Sequence, residues 1–265
     1  MSISLVCDYL NVKFEEGYNS STLNIMRSSI NFFTLSSLDL ENNVCIKRLF
    51  KYFFNARPIK ARYQTYWPVS KLLDLLTTWY PIDSISLKFL TLKVIALIAL
   101  TSSDRGQTLH LASTKDMIVS DDKIEFIVRD KIKTTKKVLK PTVITCVSSH
   151  IEQLNVAAHV KAYLERTATF REPNSPLFLS WATHKPVTRQ SLARWLTLVL
   201  KMAHIDTSIF KAHSYRGAGL SKALSKGASI KQIIESGNWS NATNFHRFYN
   251  APSYDTPIGN LILEQ

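Results

Sequence analysis

HSYRGAGLSKALSKGASIKQIIESGNWSNATNFHRFYN, residues 213–250, is the stretch on which the reading of this chain turns. His213 and Arg216 stand three residues apart at the start of a predicted helix over Ser214–Lys226. Side chains three apart share a helix face, and the helix N-terminus carries the positive end of the backbone dipole. That geometry suits one phosphate, with the guanidinium holding two oxygens and the imidazole moving a proton. Gly227 ends this helix, and Ile230–Ser236 forms the next, closed by Gly237. Trp239 and Ser240 then open a last helix, about Asn241–Tyr249, that ends on Phe248 and Tyr249.

Upstream, a long helix is expected over about Leu87–Leu100, and Arg105 follows directly on the stretch LTLKVIALIALTSSD (90–104). At seven residues its most apolar run, Val94–Leu100, is far too short to cross a bilayer and has Lys88 and Lys93 beside it. KIEFIVRDKIKTTKKVLKPTVITCV (123–147) changes period: Ile124–Val128 and Val143–Val147 alternate as strands do. The Lys- and Thr-rich segment between them is a hairpin tip or a middle strand. Further helices are expected over Val69–Tyr80, 150–166 and Thr188–Ala203, with a loop and short strand at PNSPLFLS (173–180). The predicted class is mainly α with one small antiparallel β-sheet.

The 265 residues hold 33 Lys plus Arg against 20 Asp plus Glu, a net charge of +13. Residues 1–60 contribute seven basic and five acidic side chains, so +11 lies beyond them. A folded chain this basic expects a polyanion. Phosphate-binding glycine loops, HExxH and GxSxG are missing, and carboxylates are too scattered for a two-metal centre. No metal and no other cofactor is expected. Cys7, Cys45 and Cys146 form no CxxC pair and read as reduced, mostly buried thiols, and no secretory leader is visible. A soluble intracellular protein is the expectation.

At the other end, residues 3–14, Thr22–Leu35 and Val44–Phe54 read as three helices, the second capped by Ser20 or Ser21 and the third basic on one side and aromatic on the other. RPIKARYQTYWP (57–68) has two prolines, three basic residues and three aromatics, and reads as an extended connector. The expected organisation is a helical domain over residues 1–60 and a second domain over 61–265, with the boundary inside 57–68. Arg57, Lys60 and Arg62 in the connector, and Lys131, Lys136 and Lys137 in the hairpin, are candidate DNA-backbone contacts.

In order and spacing, Arg105, Lys133, His213, Arg216, Trp239 and Tyr249 resemble the catalytic set of the tyrosine recombinase (phage-integrase-like) family. RGQTLHL, RYQTYWPVSKLLDLL, HSYRGA, NWSNATNFHRFY and the opening EEGYNSSTLNIMRSSINFF are most similar to the recombinases of DIRS-type retrotransposons. Two departures stand out. Thr108 occupies the position, three after the first arginine, where phage members carry an acid. The interval from Trp239 to Tyr249 is one residue longer than usual, which puts Phe248, with no hydroxyl, at the common spacing. Lys131, Lys136 and Lys137 exchange with Lys133 under a shift of strand register, and Tyr254 is an alternative nucleophile.

The resemblance implies an N-terminal helical domain that clamps DNA and a catalytic domain that cleaves and rejoins it through a 3′-phosphotyrosyl link, without metal or ATP. Tyr249 would attack, Arg105 and Arg216 would neutralise the phosphate, His213 would take the tyrosine proton, Lys133 would protonate the leaving 5′-oxygen, and Trp239 would support the site. It further implies double-stranded DNA as partner, a homotetramer on paired sites, no membrane, a part in integrating a mobile element, and a nuclear location for a eukaryotic element. Two alternatives are a type IB topoisomerase-like relaxer and a catalytically silent DNA-binding protein derived from such an element.

Overall fold

The computed structural model describes residues 2–34, 38–58, 63, 65–130 and 141–236. The readings placed on Lys60, Arg62, Lys131, Lys133, Lys136, Lys137, Trp239, Tyr249 and Tyr254, and the expected last helix, lie outside them. The chain divides into two units, Met1–Arg62 and Tyr63–Gln265.

Apolar residues at helical spacing build the first unit. Helices α1 (Ile3–Glu15), α2 (Ser20–Phe33) and α3 (Val44–Ala56) bury Val6, Leu10, Phe14, Leu23, Ile46, Phe50 and Phe53 around Leu40. Gly17, at φ +97°, takes the left-handed turn that ends α1. The cap of α2 is Asn19, whose Oδ1 accepts the Thr22 N–H at 3.0 Å, and not Ser20 or Ser21. The difference is one of reach: Ser20 is already helical and fully buried. On α3, Ile46, Phe50 and Phe53 face inward while Lys47, Arg48 and Lys51 are exposed.

In the second unit the organising element is α5 (Leu87–Thr101), in which every residue from Leu90 to Leu100 is buried. A helix apolar all round must be enclosed on all sides. It packs against α7 (Val156–Thr167), α8 (Arg189–Met202) and α9 (Ser214–Ser225). Lys93 lies inside this core and donates to the Trp79 carbonyl at 2.6 Å, and burial lowers its pKa to about 8. The remaining helices are α4 (Val69–Thr78), α6 (Gly106–Leu111) and α10 (Ile230–Ser236).

A three-stranded antiparallel sheet runs β1 (Met117–Val119), β2 (Lys123–Val128), β3 (Thr142–Val147), in that order. Ile124, Phe126 and Val128 of β2 and Ile144 and Cys146 of β3 face the core, which explains the alternation seen in the sequence. Nothing in the sequence announces β1, because three residues are too few to show a period. β2 pairs directly with β3, Glu125 opposite Thr145, so no middle strand lies between them; the Lys- and Thr-rich residues 131–140 lie outside the described residues.

Three smaller expectations change. The helix expected over 150–166 starts only at Val156, capped by Asn155, after a 3-10 turn at Glu152–Leu154. PNSPLFLS makes isolated bridges, Ser113 to Pro176 and Leu179 to Pro186, in place of a strand. Of the thiols, Cys146 is buried, Cys7 partly so and Cys45 exposed.

Candidate functional site

Two chain segments build the site, the turn that closes α5 and the start of α9. After Thr101 the backbone cannot continue as helix: Ser103, nearly fully buried, takes the left-handed conformation at φ +55°. The Ser102 Oγ accepts the Asp104 N–H at 3.2 Å. Arg105 follows in extended conformation as the residue before α6, and it lines the same cleft as Asp104. Thr108, at the position of the missing acid, is buried within α6.

The start of α9 is held from three sides. Tyr215, buried, donates its hydroxyl to the Leu196 carbonyl of α8 at 3.1 Å. The Trp67 indole donates to the buried Ser214 hydroxyl at 2.8 Å and meets the Tyr215 ring edge-on at 5.4 Å. The third contact is backbone-close. A Cβ on Gly217 would meet the outer Tyr66 ring at 2.0 Å and displace it, and one on Gly219 would come within 2.3 Å of the Leu100 carbonyl oxygen, where only glycine allows α9 to lie this near. These contacts set the rotation of α9 and with it the positions of His213 and Arg216.

Arg105 and His213 line one cleft of about 320 Å³, together with Asp104, Gln107 and Arg189. His213, the residue before α9, is exposed, whereas Arg216 is only 2% exposed. Burial pushes the Asp104 carboxyl up to about 6, against the opposing pull of Arg216, of the Ser102 hydrogen bond and of Arg105. Asp104 is therefore in electrostatic contact with both arginines, and the two arginines and the histidine belong to one neighbourhood.

The other described candidate, Arg57, lies in the first unit. Its Nη1 donates to the Phe14 carbonyl at 2.5 Å and its guanidinium covers the Phe14 ring at 3.8 Å. That use ties α3 to α1 and leaves fewer donors for a phosphate.

Sequence reasoning missed four residues here. Asp104 passed as an ordinary helix-end residue, and only its adjacency to Arg105 hinted otherwise. Arg189 opens α8, far from the motif, and nothing in its surroundings marks it. Tyr63 and Trp67, read as part of a connector, are about 5% exposed and belong to the second unit. A run of aromatics beside prolines was the available signal. Among the described residues no three His, Cys, Asp or Glu side chains gather as a metal-ligand set. Among them, too, no helix is long and apolar enough to cross a membrane.

No family model matches the chain, and no curated protein matches it in sequence. Solved structures do match. The Tn1549 transposon integrase in complex with circular intermediate DNA is 14% identical with a TM-score of 0.57, over 100% of this chain and 85% of that one. The XerH site-specific recombinase in a post-cleavage complex with palindromic difH substrate is 13% identical with a TM-score of 0.57, over 94% and 74%. A lambda integrase tetramer bound to a Holliday junction is 14% identical with a TM-score of 0.55, over 97% and 67%. At such identities the likeness is one of fold, and the fold is that of the tyrosine recombinases.

Proposed function

We propose that this chain is a site-specific DNA recombinase that cleaves and rejoins duplex DNA through a 3′-phosphotyrosyl intermediate. The observation that carries the reading is the convergence of Arg105, His213 and the buried Arg216 on one neighbourhood in a tyrosine recombinase fold. A phosphodiester under nucleophilic attack gathers negative charge on its non-bridging oxygens, and two preorganised guanidiniums are suited to stabilise it.

In this reading the Tyr249 oxygen attacks the phosphorus and displaces the 5′-oxygen. His213 helps remove the tyrosine proton, and Lys133 returns a proton to the leaving oxygen. The phosphotyrosine conserves the bond, so a second strand's 5′-hydroxyl can reverse the step without ATP. Trp239 supports the phosphate. Lys131, Lys136 and Lys137 of the hairpin, Lys60 and Arg62, and the exposed Lys47, Arg48 and Lys51 of α3 contact the DNA backbone. The partner is double-stranded DNA, and the working form is a homotetramer on paired sites. The biological role is integration of a mobile element of DIRS type, in the nucleus of a eukaryotic host.

The test is covalent trapping on a nicked suicide duplex. Wild-type protein forms a protein–DNA adduct, and Tyr249→Phe binds the duplex without forming one. Adducts that persist in Tyr249→Phe, or their absence from the wild type, would refute the proposal. Relaxed supercoils without recombinant products would move the assignment to a topoisomerase-like activity.

A further inference from the structure

Two guanidiniums brought to one phosphate repel each other until the phosphate arrives, and something must hold them meanwhile. Asp104 is placed to do so. It follows the buried left-handed Ser103, its N–H is fixed by Ser102, and its carboxyl is in electrostatic contact with Arg216 and Arg105. It lines the cleft shared by Arg105, Arg189 and His213, and also a second cleft of about 470 Å³ shared with Thr142, Thr145 and Glu235. We propose that Asp104 is a positioning residue that fixes Arg105 and Arg216 for the scissile phosphate. The inference rests on the recombinase reading above.

Stability does not account for this carboxylate. Burial costs more than its partners return, which is why its pKa is raised to about 6. The carboxyl lines the same cleft as Arg105 and is coupled electrostatically to Arg216, so its effect on the two guanidiniums is what a variant reads. Among the described residues, the ionisable groups around it are Arg105 ahead of α6, His213 and Arg216 at the start of α9, Arg189 on α8 and Glu235 on α10. The comparison that isolates Asp104 from these neighbours is wild type against variant at each pH.

The variant is Asp104→Asn in the full chain, with Asp104→Glu as the conservative partner. Displacing a preorganised group by about 1 Å lowers rates by roughly 100-fold, and adduct formation at pH 7.5 is expected to fall by about 30- to 100-fold. Duplex affinity is expected to stay within about threefold, because most of it comes from the many other phosphate contacts. The melting temperature is expected to hold or rise, and Asp104→Glu to recover part of the rate. The acid limb of the wild-type pH–rate profile that follows Asp104 is expected to vanish in Asp104→Asn. The Nε–Hε resonances of Arg105 and Arg216, followed by NMR without DNA, are expected to shift or broaden. Asp104→Asn reacting at the wild-type rate across pH 5.5–8 overturns the proposal. If the wild type forms no adduct, the recombinase reading fails. The arginine resonances then decide by themselves, and their identity in wild type and Asp104→Asn overturns the positioning role.

Discussion

Replacing Gly219 by alanine separates local propensity from tertiary packing, because the two predict opposite signs. Gly219 lies in the interior of the 12-residue helix α9, where glycine is less favourable than alanine by about 1 kcal/mol. By propensity alone the substitution stabilises. In the fold the new Cβ would stand 2.3 Å from the Leu100 carbonyl oxygen. Comfortable contact needs roughly 3.5 Å, so α9 and α5 must part by about 1 Å. The obstacle is backbone in the most enclosed helix of the protein, and no side-chain rotation relieves it. Overpacking of this kind costs typically 1–3 kcal/mol, enough at its upper end to outweigh the propensity gain. Because the obstacle is backbone, the upper end applies, and the net expectation is a loss of about 2 kcal/mol, read as a fall of roughly 4–8 °C in melting temperature for a unit of this size. Adduct formation should fall by up to about 100-fold, since the start of α9 carries His213 and Arg216. Gly106→Ala is the control. Its Cβ would meet nothing within 4 Å, and its φ is not in the left-handed region, so it should gain about 0.4–1 kcal/mol. Urea and thermal unfolding of the two variants beside wild type measure both. A Gly219→Ala protein as stable as wild type or more so would refute the close approach of α9 to α5.

Further tests follow from single observations. Burial lowers the His159 pKa to about 4, so below the unfolded value of about 6.5 the unfolded chain takes up the proton first. His159 should therefore withdraw up to about 3 kcal/mol of stability as pH falls from 6.5 to 4, and His159→Gln should flatten that slope in urea titrations. Asp104 acts in the opposite sense: its raised pKa gives stability below about pH 4 that is lost as pH rises through about 6, so Asp104→Asn should make wild type the relatively poorer folder near pH 7. Ser214→Ala leaves the buried Trp67 indole without its acceptor, an expected loss of about 1–3 kcal/mol in unfolding experiments together with slower adduct formation. Removing Lys47, Arg48 and Lys51 together should make the salt dependence of duplex affinity shallower by about one unit of slope for each phosphate no longer neutralised, measured by binding titrations at several salt concentrations.

The sequence by itself determined most of the secondary structure, because helices and strands follow periods of 3.6 and 2 that survive without any knowledge of neighbours. The three helices of the first unit, the enclosed helix α5, the two long strands, and α8 to α10 were legible to within a few residues. Arg105, His213 and Arg216 stood out as candidates, since their order along the chain and the apolar helix before Arg105 carry the family resemblance. Tertiary structure decided what those residues touch. Trp67 could be read only as a connector aromatic until its indole met Ser214, 147 residues away. Asp104 looked like an ordinary helix-end residue and nothing marked Arg189, because a charge acquires its role from what lies across the cleft. Arg57 looked free for DNA, yet the Phe14 ring and carbonyl, 43 residues away, engage it. Local pattern is written in steps of two to four residues, whereas electrostatic contact and glycine-close packing join segments that the chain order leaves far apart.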